Sequence, residues 1–156
     1  MKYIFLVFML FFSACSVKNY EHTFAKIVII QSPKLKFADL GYLRHSGESL
    51  ELELFVAGRA IEKIRLNHLV CTSEGCMSKS SFNRDYLSAH YPDDILQNIL
   101  LGHPIYEGKN RVQTQDGFEQ SIETGHVEIT YKVNPHAVFF KDKMNKIIIK
   151  INDTQE

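Results

Sequence analysis

The sequence contains no tryptophan, three cysteines and four prolines among its 156 residues. It also has no excess of either charge, since 18 Lys and Arg residues balance 18 Asp and Glu residues. Such a balance argues against nucleic acid or an anionic lipid surface as the main partner. G-x-S-x-G, H-E-x-x-H, phosphate-loop and dinucleotide motifs are absent as well. The sequence therefore predicts neither an enzyme nor a site for a cofactor or metal.

The longest apolar run lies near the N-terminus. Residues 4-IFLVFMLFF-12 follow the single charge of Lys2 and precede the small residues Ser13 and Ala14. Nine apolar residues are too few to span a bilayer, which takes about 20. A short basic start, an apolar core and small residues at the end are typical of a secretory signal. The pattern predicts a signal peptide over residues 1–14.

The end of this signal, 12-FSAC-15, resembles the lipobox of bacterial lipoproteins. The resemblance implies cleavage before Cys15, a diacylglycerol on its sulfur and an acyl chain on its new amine, which together hold a protein firmly on a membrane. Ser16, in the place of an inner-membrane Asp signal, favours the outer membrane. We expect a lipidated tether over residues 15–23 and one domain over residues 24–156, on the periplasmic face of the outer membrane.

Two further cysteines flank a turn-forming segment, 71-CTSEGC-76. In an exported protein such a pair usually forms a disulfide. Free thiols and a metal or redox site are the alternatives, although zinc would need about four ligands and His68 is the one near candidate. The sequence thus favours a Cys71–Cys76 disulfide that closes a small loop.

Most of the remaining chain has the pattern of β-strands. In 50-LELELFVAG-58 the leucines alternate with Glu51 and Glu53, as in a strand with one buried face. The pattern predicts six to eight strands, in these segments: 24–30, 35–47, 50–58, 60–71, 112–124, 126–133, 137–142 and 146–151. Asp-Gly at 116–117 and Asn-Pro at 134–135 are turn signals.

Two helices are expected between these groups of strands. The first runs from a cap at Ser80–Ser81 to about Ser88. The second, in 91-YPDDILQNILLGHPI-105, begins at Pro92 and ends at Gly102. Its apolar stripe consists of Ile95, Leu96, Ile99 and Leu100.

The same stretch holds a possible acid–base pair, because Asp93 and Asp94 precede His103. These acids lie at one end of the helix and the histidine lies beyond the other, about 15 Å away along the axis. Proton transfer needs contact near about 3 Å. We therefore interpret the acids as partners of the helix dipole and His103 as a surface residue.

Three features of the chain resemble the LolB family of outer-membrane lipoprotein receptors. They are the helix followed by Leu-Leu-Gly-His-Pro at 100–104, the hairpin 50–66 with 55-FVAG-58 at its tip, and the final strand 146-KIIIKIN-152. The resemblance implies an α+β fold, mostly antiparallel β, in which a curved half-barrel sheet has its concave face covered by a central helical insert near residues 81–101. In overall character the sequence also resembles small lipoproteins of Campylobacter and Helicobacter relatives.

The family resemblance implies a protein that binds acyl chains or lipoproteins in an apolar cavity. The residues expected to line the cavity, or to form a core, are Leu52, Leu54, Ile64, Leu66, Ile95, Ile99, Leu100, Ile129 and Tyr131. The alternative is a structural or surface-interaction lipoprotein with a solid β-sandwich core. Sequence periodicity does not distinguish a cavity from a solid core.

Overall fold

The structure is a computed structural model that describes residues 22–47 and 49–154. The predicted signal peptide and Cys15 lie outside the described residues. Eleven strands are formed: β1 (His22–Gln31), β2 (Lys36–Ser46), β3 (Ser49–Val56), β4 (Arg59–Leu66), β5 (Val70–Thr72), β6 (Gly75–Met77), β7 (Arg111–Gln113), β8 (Phe118–Glu123), β9 (Glu128–Asn134), β10 (Ala137–Asp142) and β11 (Ile147–Asp153). Two α-helices, α1 (Lys79–Tyr86) and α2 (Ile95–Leu101), and a 3₁₀ turn (Tyr106–Gly108) separate β6 from β7.

All eleven strands belong to one antiparallel sheet with the order β6-β5-β4-β3-β2-β1-β11-β10-β9-β8-β7. The sheet is open, and its two edges are the strands that come directly before and after the helices. The helical insert therefore links one edge to the other. A mostly antiparallel β fold with central helices is confirmed, and backbone hydrogen bonds join all the described strands in one sheet.

The strands differ from the predicted ones in number and in several boundaries, since the predicted segments 60–71 and 112–124 each cover most of two strands, β4 with β5 and β7 with β8. The strand count of six to eight is too low because β5, β6 and β7 have three residues each, too few for alternation to be visible in the sequence. β1 begins at His22, two residues inside the predicted tether, where it pairs with His45 of β2. Pairing with a long neighbour extends the strand into polar sequence.

Both helices begin elsewhere than predicted. α1 is capped by Ser78, whose hydroxyl accepts a hydrogen bond from Ser81 N over 3.1 Å. α2 begins at Ile95, because Pro92 opens a preceding turn in which its carbonyl accepts a bond from Ile95 N. The predicted start at Pro92 is therefore wrong, and Asp94 occupies the cap position, with its carboxylate bonded to the side chain of Asn98.

The predicted end of α2 at Gly102 is confirmed. Gly102 has a left-handed φ of 65°, its N–H donates to Ile99 O, and the N–H of His103 donates to Asn98 O. These two bonds form a Schellman motif, which satisfies carbonyls at the helix end. The chain then turns away from the helix axis towards Pro104.

One face of the sheet and both helices form a single apolar core. The nine residues predicted to line a cavity or core all belong to it, each no more than 3% exposed. Glu51 is also buried, although its side chain lies on the opposite face of β3 from the leucines of the core. It is 3% exposed. Its carboxylate is paired with Arg44 at 3.0 Å and Lys63 at 3.4 Å, and these partners cover it.

Candidate functional site

An apolar pocket of about 360 Å³ lies where the end of α2 meets β1 and the turn between β9 and β10. We call it the open pocket because it opens to solvent. Its lining consists of Phe24, Lys26, Leu43, Leu100, Leu101, Gly102, Val133, Asn134, Pro135, His136, Ala137, Val138 and Ile151.

Local structure sets the shape of this pocket. Strand alternation places Phe24 and Lys26 on the inward face of β1, where Phe24 lies opposite Leu43. On the far side Gly102 brings the end of α2 close to β9. A Cβ atom added to Gly102 would lie 3.2 Å from a methyl group of Val133. Glycine thus permits both the left-handed turn and this close approach.

Charged groups border the pocket on its outer side. Lys26 of β1 lies directly opposite Asp153 of β11, and its ammonium group forms an ion pair with the carboxylate. His136 Nδ1 lies 3.0 Å from the other oxygen of Asp153, and the Lys26 ammonium lies 5.5 Å from the ring centre of Phe24. Hydrogen bonds from Lys26 and from His136 lower the pKa of Asp153.

A wider groove adjoins the open pocket on this charged side. It has a volume of about 990 Å³ and shares Phe24, Lys26 and the segment 135–137 with the pocket. The rest of its lining is mostly polar: Thr23, Ala25, Asn152, Asp153 and Thr154. We call it the outer groove. An apolar pocket that continues into a polar groove suits an amphipathic ligand, with its chain inside and its head outside.

The sequence and the structure place the candidate site in different residues. Of the nine predicted lining residues, Leu100 lines the open pocket, and the other eight lie in the core without lining it. Sequence reasoning missed Phe24, Leu43, Leu101, Val133, Val138 and Ile151. A signal was present, because Lys26 interrupts the apolar run 24-FAKIVII-30 on the face that points inward.

A closed region lies on the buried face of α2. Ile95, Ile99, Tyr131 and Phe140 are all 0% exposed there. The hydroxyl of Tyr131 donates a 2.9 Å hydrogen bond to the carbonyl of His103, just beyond the helix. Burial raises the pKa of Tyr131 well above its usual value. These four residues together with Tyr91 and Asp142 form the closed region.

Tyr91 and Asp142 fix the chain before α2 to the sheet. The Tyr91 hydroxyl donates to Asp142 Oδ2 over 2.7 Å, and the side chain of Asn145 donates to the same oxygen. The other carboxylate oxygen accepts backbone N–H groups of Glu128, Met144 and Asn145. Burial alone would raise the pKa of Asp142, but the bonds from Asn145, Tyr91 and the backbone outweigh it and hold that pKa below its usual value.

Cys71 and Cys76 form a disulfide, as the sequence favours. They lie directly opposite each other in the β5–β6 hairpin. The disulfide therefore closes the loop at one edge of the sheet. In the described part of the chain, no three or more His, Cys, Asp or Glu side chains come close enough together to hold a metal ion.

Asp93, Asp94 and His103 are not brought together as a site by any contact that the structure describes. Asp94 bonds to Asn98 and His103 contributes its backbone carbonyl to Tyr131. All three side chains are exposed. Their arrangement agrees with helix-end roles.

Comparisons with models of protein families and with curated proteins find no match to this chain. No helix in residues 22–47 and 49–154 combines the length and the apolar character needed to cross a bilayer.

Proposed function

We propose that this protein is a lipid-anchored lipoprotein of the outer membrane that faces the periplasm and binds an acyl chain in its open pocket. The observation that carries the proposal is the pocket itself, an apolar space of about 360 Å³ that the side chains of residues 22–47 and 49–154 leave open. Its volume lies within the range of about 300–1,000 Å³ common to small-molecule sites. The acyl chain belongs to a free lipid or to another lipoprotein.

The arrangement of helices and strands supports a half-barrel of the LolB type. Eleven strands laid flat would extend about 50 Å across the sheet. Each helix is only about 10–12 Å long. Yet Tyr86 of α1 bonds to Glu74 beside one edge, and Tyr131 of β9 bonds to the chain after α2 near the other. A sheet that curves around the helices accounts for both contacts.

Few residues separate the proposed anchor from the strand that begins the open pocket. Phe24 lines the pocket from the third residue of β1, and the proposed lipidated Cys15 precedes β1 by seven residues. Seven extended residues reach at most about 25 Å. A protein tethered in this way would hold its pocket close to the membrane surface, where acyl chains are available.

The anchor is tested by replacing Cys15 with Ala. Several acyl chains contribute about 0.8 kcal/mol for each buried CH₂, so their loss should release the protein from the membrane. We expect C15A to move from the membrane fraction to the soluble periplasmic fraction. A C15A protein that stays with the outer membrane would contradict lipid anchoring at this residue.

Acyl binding is tested by filling the pocket. The chain from Ser16 onward contains every described element and is titrated with a fluorescent fatty acid. Val138→Trp places a large ring in the pocket and should weaken binding at least tenfold. Ile61→Trp, at an exposed position of β4, should leave binding unchanged. Absence of saturable binding to the parent chain would contradict the proposal, and unchanged binding to V138W would exclude this pocket as the site.

The alternative is a lipoprotein that acts through its surface and has a solid core. The burial of the predicted lining residues favours it, since all nine are packed in one cluster. Exposed apolar side chains at the β3–β4 hairpin, Val56 at 45% and Ile61 at 50%, would then be the first candidates for a contact surface. The fatty-acid titration distinguishes the two functions, because a solid core predicts no saturable binding.

A further inference from the structure

We propose that Lys26 binds the head group of the ligand and that the preferred ligand is a single-chain amphiphile with a carboxylate head, such as a fatty acid. This inference rests on the proposed acyl binding in the open pocket. It adds the class of ligand and the residue that selects it.

The position of Lys26 is the first reason. Among the described residues that line the open pocket, it is the one lysine or arginine, and it also lines the outer groove. Its side chain is 22% exposed, and it follows Phe24 and precedes the buried Val28 on the inward face of β1. A partly desolvated ammonium group at the boundary of an apolar pocket is well placed to bind the anionic end of a chain that enters it.

The present partner of Lys26 is the second reason. Asp153 already holds a carboxylate against the ammonium group, so the geometry accommodates this chemical group. Asp153 is more exposed than Lys26, at 39%, and it has a second partner in His136 Nδ1 at 3.0 Å. A ligand carboxylate can therefore replace Asp153 at Lys26 while Asp153 keeps His136 and water. The exchange leaves the ammonium group paired throughout, which avoids a buried unpaired charge.

Neighbouring groups favour this orientation of the ligand. Leu43, Leu101 and Val138 surround the inner space, while Asn152 and Thr154 lie in the outer groove. An alkyl chain bound inward thus has apolar contacts, and its carboxylate lies at the level of Lys26. A neutral head in the same space can accept a hydrogen bond from the ammonium group, but it forms no ion pair with it.

The test compares a fatty acid with the fatty alcohol of the same chain length, both displacing a neutral fluorescent probe from the chain that starts at Ser16. At about pH 8 the acid is ionised. We expect the parent chain to bind the acid about tenfold more tightly than the alcohol, because only the carboxylate forms an ion pair with the Lys26 ammonium group. Lys26→Met should abolish this preference and leave the affinity for the alcohol within about twofold.

Two variants serve as controls. Lys150→Met removes a lysine from the outward face of β11, where Lys150 lies over Phe139, and should retain the preference. Asp153→Asn removes the competing carboxylate and should tighten binding of the acid severalfold without changing that of the alcohol. Circular dichroism shows whether K26M folds. If it does not fold, D153N provides an independent test of the role of Lys26.

The outcomes separate this inference from the proposed function. Equal affinities for acid and alcohol in the parent chain, a preference that survives in K26M, or no gain for the acid in D153N would each overturn the role of Lys26. In those cases acyl binding itself would stand. Failure of both acid and alcohol to displace the probe from the parent chain would overturn acyl binding, and the role of Lys26 with it.

Discussion

Helix α2 packs Ile95 and Ile99 into the closed region, whereas Leu100 and Leu101 border the open pocket. Ile95 and Ile99 are 0% exposed, but Leu101, two residues beyond Ile99, is only half-buried and lines the pocket. The closed region and the open pocket thus both receive leucine or isoleucine side chains from α2. Apolar composition is therefore not what distinguishes a filled core from a pocket in this protein.

The difference lies in what covers the closed region and what covers the open pocket. In the closed region the Tyr91–Asp142 and Tyr131–His103 bonds hold the insert against β9 and β10. At the pocket, the covering elements are the start of β1 and the β9–β10 turn, which leave Phe24 50% exposed. Polar bonds thus fix the insert on both sides of α2, at Tyr91 and at His103, while the surface at Leu101 remains accessible. Substitutions in the closed region and in the open pocket should consequently have different effects on stability.

The largest effect is expected for Ile99→Ala in the closed region. Removal of a fully buried isoleucine side chain leaves a cavity and should lower the free energy of unfolding by about 2–5 kcal/mol. Urea unfolding followed by circular dichroism measures the loss. Ile61→Ala is the matched control, since Ile61 is 50% exposed and should change stability by less than about 0.5 kcal/mol. Similar losses in both variants would show that the closed region is not packed as described.

A smaller effect is expected for Asp142→Asn. The amide cannot accept all the bonds that reach the carboxylate, so we expect a loss of about 1.5–3 kcal/mol at neutral pH. The pH dependence carries a second readout. Because the pKa of Asp142 is lower in the folded state, its stabilisation is complete above the unfolded value of about 3.9 and disappears as pH falls through the folded value.

The measurement for Asp142 is the urea midpoint from neutral pH down to about pH 2. The difference between the parent chain and D142N should shrink below about pH 4. Tyr91→Phe, which removes one donor to the carboxylate, should cause a smaller loss in the same window. A difference that stays constant throughout acidification would mean that Asp142 does not titrate with a lowered pKa.

The smallest effect on stability is expected for Leu101→Ala at the pocket. A half-buried side chain loses little on truncation, so the free energy of unfolding should fall by less than about 1 kcal/mol. Affinity for a fatty acid should nevertheless fall, because Leu101 lines the pocket. Leu69→Ala, at a 45% exposed leucine before β5, is the control that should leave both quantities unchanged. If L101A lost as much stability as I99A, Leu101 would be packed as tightly as Ile99, and the distinction between open pocket and closed region would be wrong.

Regular patterns allowed much of the fold to be predicted. The alternation in β3 and β9 identifies the buried faces, and both Leu52 and Tyr131 lie in the core as expected. The short strands β5, β6 and β7 could not be predicted, because three residues hold too few alternations and their pairing depends on neighbours. The start of α2 was misplaced because Pro92 is equally compatible with a first helical position and with a preceding turn.

The residues of the candidate site were harder to predict from the sequence than the fold. The ion pair between Lys26 and Asp153 joins residues 127 positions apart, and the pocket draws on both ends of the chain and on its middle. Periodicity shows which face of a strand is apolar, but it carries no information on how completely another element covers that face.

The sequence by itself determined the strand faces, the end of α2 at Gly102 and the proximity that leads to the Cys71–Cys76 disulfide, because each depends on residues close together in the chain. Tertiary structure decided that one sheet joins all eleven strands and that Ile99 is enclosed while Leu101 borders an open pocket. Burial is a property of the contacts among distant segments. Among the apolar residues of α2, Ile95 and Ile99 are therefore core, whereas Leu101 is part of the lining of the open pocket.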